Sequence, residues 1–150
     1  MPTTRNQRPS RAERQRLAHL KPHEQAALAA LVRELRARYG DDLRRVALFG
    51  SKARGDFHAE SDLDILVVVR TTKADYRRLW NEMVDMAWRV ELTFGVVISL
   101  IIKDLADYDV MRAHQLLLAR NIELDGVDLW TRPSNAPTSR SDSPKPATIS

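Results

Sequence analysis

The sequence predicts a small α/β fold in which a mixed β-sheet is covered on one face by helices. Short apolar runs typical of strands alternate with longer segments in which the apolar residues have helical spacing. The chain has 150 residues, 43% of them hydrophobic, which is enough for one domain with a core. We therefore expect a single α/β domain.

Helices are predicted where apolar residues recur every three or four positions after a residue that can start a helix. Pro22 suits a first helical turn and Gly40 a helix end, while Ser10 and Thr72 are residues that cap helices. A short helix is predicted within 10–20, and longer helices are predicted at 22–39, 73–91 and 105–120.

Strands are predicted where apolar residues follow one another without helical spacing. The predicted ranges are 44–49, 63–69 and 96–102, followed by an extended segment at 121–130 with a turn at Asp125-Gly126. The first two strands are separated only by 50–62. We expect these two strands to be neighbours in the sheet.

Charge and composition divide the chain into three parts. Residues 1–21 carry six basic residues and one acidic residue, and we expect a basic, partly disordered arm that could bind nucleic acid or an acidic partner. Residues 131–150 are rich in Ser, Pro and Thr, and we expect a disordered tail. Residues 22–130, with a net charge of −3, are predicted to form the domain.

Several classes of protein are disfavoured by the composition. The chain has no cysteine, which excludes disulfides and thiolate metal sites and fits a reducing cytoplasm. No apolar stretch approaches the roughly 20 residues of a membrane span, and the basic N-terminus lacks the apolar segment of a secretory signal. We expect a cytoplasmic protein with no membrane partner; the sequence does not indicate its oligomeric state.

One cluster of residues carries most of the chemical information. Gly50-Ser51 follows the first predicted strand, and Asp62-Leu63-Asp64 begins ten residues later at the start of the second. Successive strand side chains point to opposite faces of a sheet, so Asp62 and Asp64 are expected to lie on the same face. Two carboxylates beside a glycine-serine turn predict a site for a divalent metal ion and phosphate groups.

These residue types suit the transfer of a nucleoside monophosphate from a triphosphate. Asp62 and Asp64 can hold Mg²⁺ or Mn²⁺, which stabilise the attacking and leaving oxygens. Gly50 lets the backbone approach the phosphates, and Ser51 adds a hydroxyl donor and, at the start of a short helix, amide donors. Lys52 and Arg54 are placed to meet the triphosphate charge.

Residues 48–69, "LFGSKARGDFHAESDLDILVVV", resemble the signature of the DNA polymerase β-like nucleotidyltransferase superfamily, and more narrowly that of the minimal nucleotidyltransferases. The resemblance implies a nucleotidyltransferase fold, with Asp62 and Asp64 as metal ligands and Gly50 and Ser51 as phosphate binders. It also implies a nucleoside triphosphate substrate, for which we expect ATP. The short chain leaves no room for an acceptor-holding domain, so a protein acceptor is expected. By resemblance, that acceptor is a HEPN-domain toxin for which this protein is the antitoxin.

The sequence departs from this family at one position. The family usually has a third acid on the next core strand, but the predicted strand 96–102 contains no acid, and Ser99 is expected to occupy that position. Asp104 or Glu91 could substitute if the register differs. The missing acid leaves open a module that binds a nucleotide or a partner without catalysis, and the basic ends leave open nucleic-acid binding.

Overall fold

A computed structural model describes residues 10–55 and 62–132. Its elements run in the order helix, helix, strand, helix, strand, helix, strand, helix, helix, strand, with a single 3₁₀ turn at Gly40–Asp42. The helices are α1 (Arg11–Arg16), α2 (Pro22–Tyr39), α3 (Gly50–Arg54), α4 (Lys73–Phe94), α5 (Leu105–Ala113) and α6 (Leu117–Asp125). The strands are β1 (Leu43–Phe49), β2 (Leu63–Val69), β3 (Ile98–Asp104) and β4 (Val127–Thr131).

The four strands form one mixed sheet in the order β3-β2-β1-β4. Strand β1 is antiparallel to both β2 and β4, whereas β2 and β3 run parallel. The two strands that bracket the glycine-serine and aspartate residues are therefore direct neighbours, as predicted. The predicted α/β class with a small mixed sheet is confirmed.

Apolar side chains pack on both faces of the sheet, so the prediction of helices on one face was incomplete. The larger cluster contains Ile65, Val67 and Val69 with α2 and α4, and the smaller one contains Leu66 and Val68 with α5 and α6. All five of these β2 residues, out of seven in the strand, are buried. The uninterrupted apolar run of β2 is the signal of this two-sided burial, because alternate strand residues point to opposite faces.

The region after β3 differs most from the prediction. The helix predicted at 105–120 is two helices, because Gln115 between them has a φ of +52° and interrupts the helical hydrogen bonds. The predicted extended segment 121–130 therefore begins as α6, and only its last part is the strand β4. Strand β3 begins and ends two residues later than predicted. No glycine or proline marks the break at Gln115, so the sequence offered no local signal for it.

The short helix predicted at Ser10 is confirmed as α1. The Ser10 hydroxyl accepts a hydrogen bond from the Glu13 amide at 3.2 Å, and the Glu13 carboxylate accepts one from the Ser10 amide at 2.7 Å. Leu20, just beyond this helix, is 3% exposed and belongs to the main core. Part of the predicted basic arm is thus packed on the domain. Residues 1–9 and most of the predicted tail, 133–150, lie outside the described residues.

Within the two described ranges, none of the helices combines the length and the apolar character that crossing a membrane requires.

Candidate functional site

The two halves of the glycine-serine and aspartate motif meet at the end of β1. Phe49 pairs in register with Asp64, so Gly50 follows at the level of that carboxylate. Gly50 has a φ of +77°, and a Cβ added to it would overlap Asp64 Oδ2 and lie 3.2 Å from Asp64 Cγ. Glycine is therefore required at position 50 both by the backbone conformation and by the close approach of Asp64.

The two aspartates influence each other electrostatically. Asp62 precedes β2 and is exposed, whereas Asp64 is the second residue of β2 and is partly buried. Burial, and then the charge of Asp62, raise the pKa of Asp64, although a hydrogen bond from Ser99 and the charge of Arg54 act in the opposite direction. Two mutually repelling carboxylates, one of them partly desolvated, fit a divalent cation, which would offset both effects.

Ser99 lies beside Asp64 on the neighbouring strand. The parallel register pairs Asp64 with Ser99, and the Ser99 hydroxyl donates a hydrogen bond to the Asp64 carboxylate. The β3 residue next to Asp64 is therefore Ser99, with a neutral hydroxyl, on the strand where a third acid was expected. In the part of the chain that the structure describes, no three or more His, Cys, Asp or Glu side chains are grouped as metal ligands.

Neither of the two alternative acids is placed to replace Ser99. Glu91 lies on α4, which packs on the face of β2 opposite to Asp64. The Glu91 carboxylate accepts a hydrogen bond from the Ile98 amide at 2.7 Å. Asp104 pairs with Val69 at the far end of β2, about 16 Å of strand away from Asp64. Its carboxylate accepts a hydrogen bond from the Thr71 amide at 3.0 Å. Both acids stabilise local backbone structure.

The predicted phosphate-binding residues divide into two groups. Ser51 is the second residue of α3, so it belongs to the short helix that was expected after Gly50, and the first amides of a helix have no intrahelical acceptor. Arg54 is exposed at the other end of α3, and its charge lowers the pKa of Asp64, which places it near the aspartates. These residues lie close to the predicted site.

Lys52 is the exception and corrects the sequence-based prediction. Its side chain is 0% exposed, and its Nζ lies 2.6 Å from Glu24 Oε2 in a buried ion pair between α3 and α2. A cation committed to a buried carboxylate is not available to a bound triphosphate. The structure therefore assigns Lys52 a role in attaching α3 to the core.

Sequence reasoning missed Glu24, although a signal for it was present. Glu24 continues the buried stripe of α2, which contains Leu28, Leu31 and Leu35 at helical spacing. An acid on a buried stripe requires a cationic or hydrogen-bonding partner, because an isolated buried charge is costly. The partner could not be read from the sequence, because Lys52 lies 28 positions away.

Gly50→Ala tests the close approach, and Gly55→Ala is its matched control. Gly55 has a φ of +87°, but a Cβ there meets no atom of the described residues within 4 Å. Both alanines incur the positive-φ cost of about 1–2 kcal/mol, and only the one at position 50 also displaces Asp64. We expect Gly50→Ala to lower the melting temperature further than Gly55→Ala and to weaken metal-dependent nucleotide binding at least about tenfold. Equal nucleotide binding by the two variants would contradict the proposed geometry.

Comparison with known proteins assigns the chain to a family. Residues 28–123, nearly two thirds of the chain, match the family profile described as the nucleotidyltransferase domain. The chain belongs to the nucleotidyltransferase domain family. The match includes β1, α3 and β2, which carry the motif, and it confirms the resemblance found in residues 48–69. As a member of this family, the chain is a transferase.

Two proteins of Methanocaldococcus jannaschii, each named "putative protein adenylyltransferase", are similar to this chain. One is 36% identical over 81 residues, which cover 54% of this chain and 74% of that relative. The other is 40% identical over 62 residues, which cover 41% of this chain and 61% of that relative. The second match thus covers less than two thirds of the relative.

Solved structures show a weaker likeness. A "putative nucleotidyltransferase" from Sulfolobus solfataricus is 23% identical, with a TM-score of 0.47 and coverage of 82% of this chain and 90% of that one. A toxin–antitoxin crystal structure with AMP-PNP is 22% identical, with a TM-score of 0.46 and coverage of 68% and 72%.

Proposed function

We propose that the protein transfers AMP from ATP to a hydroxyl group of a partner protein. The observation that carries this proposal is the contact between the Gly50 backbone and the Asp64 carboxylate, which joins the phosphate-binding and metal-binding halves of the motif. Family membership supports nucleotidyl transfer, and the names of the two Methanocaldococcus relatives support a protein acceptor. A nucleoside triphosphate substrate and a cysteine-free sequence support a cytoplasmic location.

In this proposal Asp62 and Asp64 hold Mg²⁺ or Mn²⁺. The metal supplies charge stabilisation of the phosphoryl oxygens and of the leaving group. Gly50 allows the phosphates to approach, Ser51 and the first amides of α3 donate hydrogen bonds to them, and Arg54 adds positive charge. A bond forms between the acceptor oxygen and the α-phosphorus, the bond to the bridging oxygen breaks, and pyrophosphate leaves.

The acceptor hydroxyl must lose its proton, and this is the step to which the residues of this chain contribute least. Ser99 stands where a third carboxylate was expected, and the described residues offer no other acid there. We therefore propose that water or a group of the acceptor protein takes this proton. For the acceptor itself we propose a HEPN-domain toxin, with this protein as its antitoxin, a partner that rests on the family resemblance alone.

The test is covalent labelling with ATP that is radioactive in its α-phosphate. The protein is incubated with labelled ATP, Mg²⁺ and a candidate HEPN protein, and we expect label on the acceptor that depends on metal. ATP labelled in the γ-phosphate should leave the acceptor unlabelled, because pyrophosphate departs. Label from the γ-phosphate would contradict nucleotidyl transfer.

The position of Ser99 beside Asp64 also favours a second candidate function, a module that binds ATP without transferring it. The same assay separates the two functions. Saturable ATP binding without label, together with label from the Ser99→Asp variant, would assign the non-catalytic module, since a carboxylate at this position would complete the set of acids.

A further inference from the structure

A polar cleft lies between α1 and α3. Its volume is about 500 Å³, which is within the range of ligand-binding sites. The residues that line it come from α1 and the segment after it, from the end of α3 and from the end of α6. They are Gln15, Arg16, His19, Ala53, Arg54 and Asp125.

Specific contacts hold one wall of this cleft in place. Arg16 Nη2 donates a hydrogen bond to the Asp125 carbonyl at 2.8 Å, and Arg16 Nη1 donates one to the Gly126 carbonyl at 3.2 Å. His19 Nε2 donates a hydrogen bond to the Lys52 carbonyl at the middle of α3. The match to the family domain begins at residue 28, so the wall formed by Arg16 and His19 lies outside the matched domain.

The charge of the cleft favours an anionic ligand. Among the described residues of the lining, Arg16, His19 and Arg54 stand against one acid, Asp125. The two hydrogen bonds of Arg16 to the chain around α6 go to neutral carbonyl groups, which do not cancel its positive charge. Residues 1–21 carry a net charge of +5, against −3 for residues 22–130, and the cleft lies where the basic segment meets the domain. Such a positive region attracts acidic segments over about a Debye length.

The cleft also lies next to the candidate active site. Arg54 lines the cleft and is the last residue of α3, the short helix whose first residue, Gly50, lies against the Asp64 carboxylate. Phe, Tyr and Trp do not occur among the lining residues that the structure describes. Single-stranded nucleic acids are usually bound by stacking bases on such aromatic side chains, so the lining favours a peptide over a nucleic acid.

We propose that the cleft between α1 and α3 binds an acidic segment of the protein acceptor and so places the acceptor hydroxyl beside Asp64. This inference rests on the proposed transfer to a protein. It adds the chemistry of the acceptor, a sequence with several Asp or Glu residues close to the modified hydroxyl.

The test measures the binding of a fluorescent hexaglutamate peptide to the full chain. Gln15→Glu adds a negative charge inside the cleft, whereas Asn81→Asp makes the matched change on the exposed surface of α4. We expect Gln15→Glu to weaken peptide binding about three- to fivefold, Gln15→Arg to strengthen it, and Asn81→Asp to leave it unchanged. Asp64→Asn should still bind the peptide, so this result is separate from the fate of the proposed nucleotide site.

Three results would overturn the inference. Equal weakening by Gln15→Glu and Asn81→Asp would show attraction to the whole molecule. Tighter, Gln15-dependent binding of a single-stranded oligouridylate would assign the cleft to nucleic acid. Displacement of the peptide by pyrophosphate would assign the cleft to the nucleotide itself.

Discussion

Replacing Asp64 with asparagine is expected to abolish metal-dependent nucleotidyl transfer and also to raise the melting temperature of the metal-free protein. Transfer should fall by at least about 100-fold, because an uncharged amide cannot supply the electrostatic stabilisation that the metal requires. Covalent labelling from α-labelled ATP and metal-dependent ATP binding measure this loss. Asp85→Asn, an exposed change on α4, is the control.

The expected gain in stability follows from the sign of the Asp64 pKa shift. Burial and the charge of Asp62 raise this pKa, so the folded protein holds the Asp64 proton to a higher pH than the unfolded chain does. The ionised carboxylate therefore destabilises the fold, and the stability of the wild-type protein falls as the pH rises through the folded-state pKa. Asparagine removes this cost and can still accept the Ser99 hydrogen bond.

Thermal unfolding at several pH values tests this sign. At pH 7 we expect Asp64→Asn to melt above the wild type, and the difference should shrink below the unfolded-state pKa, near pH 4. A variant that is less stable than the wild type at pH 7, or that keeps metal-dependent ATP binding, would contradict the proposed role of Asp64.

Breaking the buried ion pair between Lys52 and Glu24 is expected to have the largest effect on stability. Lys52→Met leaves Glu24 as an uncompensated charge whose side chain is only 7% exposed, and such losses cost about 3–5 kcal/mol. That is a large part of the roughly 5–15 kcal/mol that stabilises a typical domain. Urea unfolding measures the loss, with Lys73→Met on the exposed start of α4 as the control.

The double variant Glu24→Leu with Lys52→Met separates a structural role from phosphate binding. Replacing both partners by apolar residues of similar size is expected to restore most of the stability, because no charge remains buried. If Lys52 is structural, the folded double variant should bind ATP as the wild type does. Wild-type stability combined with lost ATP binding would return Lys52 to the phosphate site.

The acid sensitivity of this pair has a definite direction. Burial alone raises the pKa of Glu24, but hydrogen bonds from Lys52 and the Lys21 amide outweigh it, so the pKa is lowered in the folded protein. The stability that the pair contributes is therefore present above the unfolded-state pKa of glutamate and lost as the pH falls through the folded-state value. This part of the acid unfolding should be absent from the double variant.

Elements with strong local signals were predicted almost completely. The helix 22–39 and the strand 63–69 have the predicted bounds, since Pro22, Gly40 and the apolar run of β2 act within a few residues. The division of 105–125 into α5 and α6 was missed, because its cause is the positive φ of Gln115 in a segment without glycine or proline. Both helices pack on β2 through the smaller core cluster, which joins residues far apart in the chain.

The start of β2 at Leu63, with Asp64 as its second residue, and the glycine after β1 were predictable from the sequence, because apolar runs and glycine's backbone freedom are local properties. That Ser99 is the neighbour of Asp64 and that Lys52 pairs with Glu24 became visible only in the folded chain. Strand register and buried ion pairs join residues far apart in the chain, and they are set by how the whole core packs.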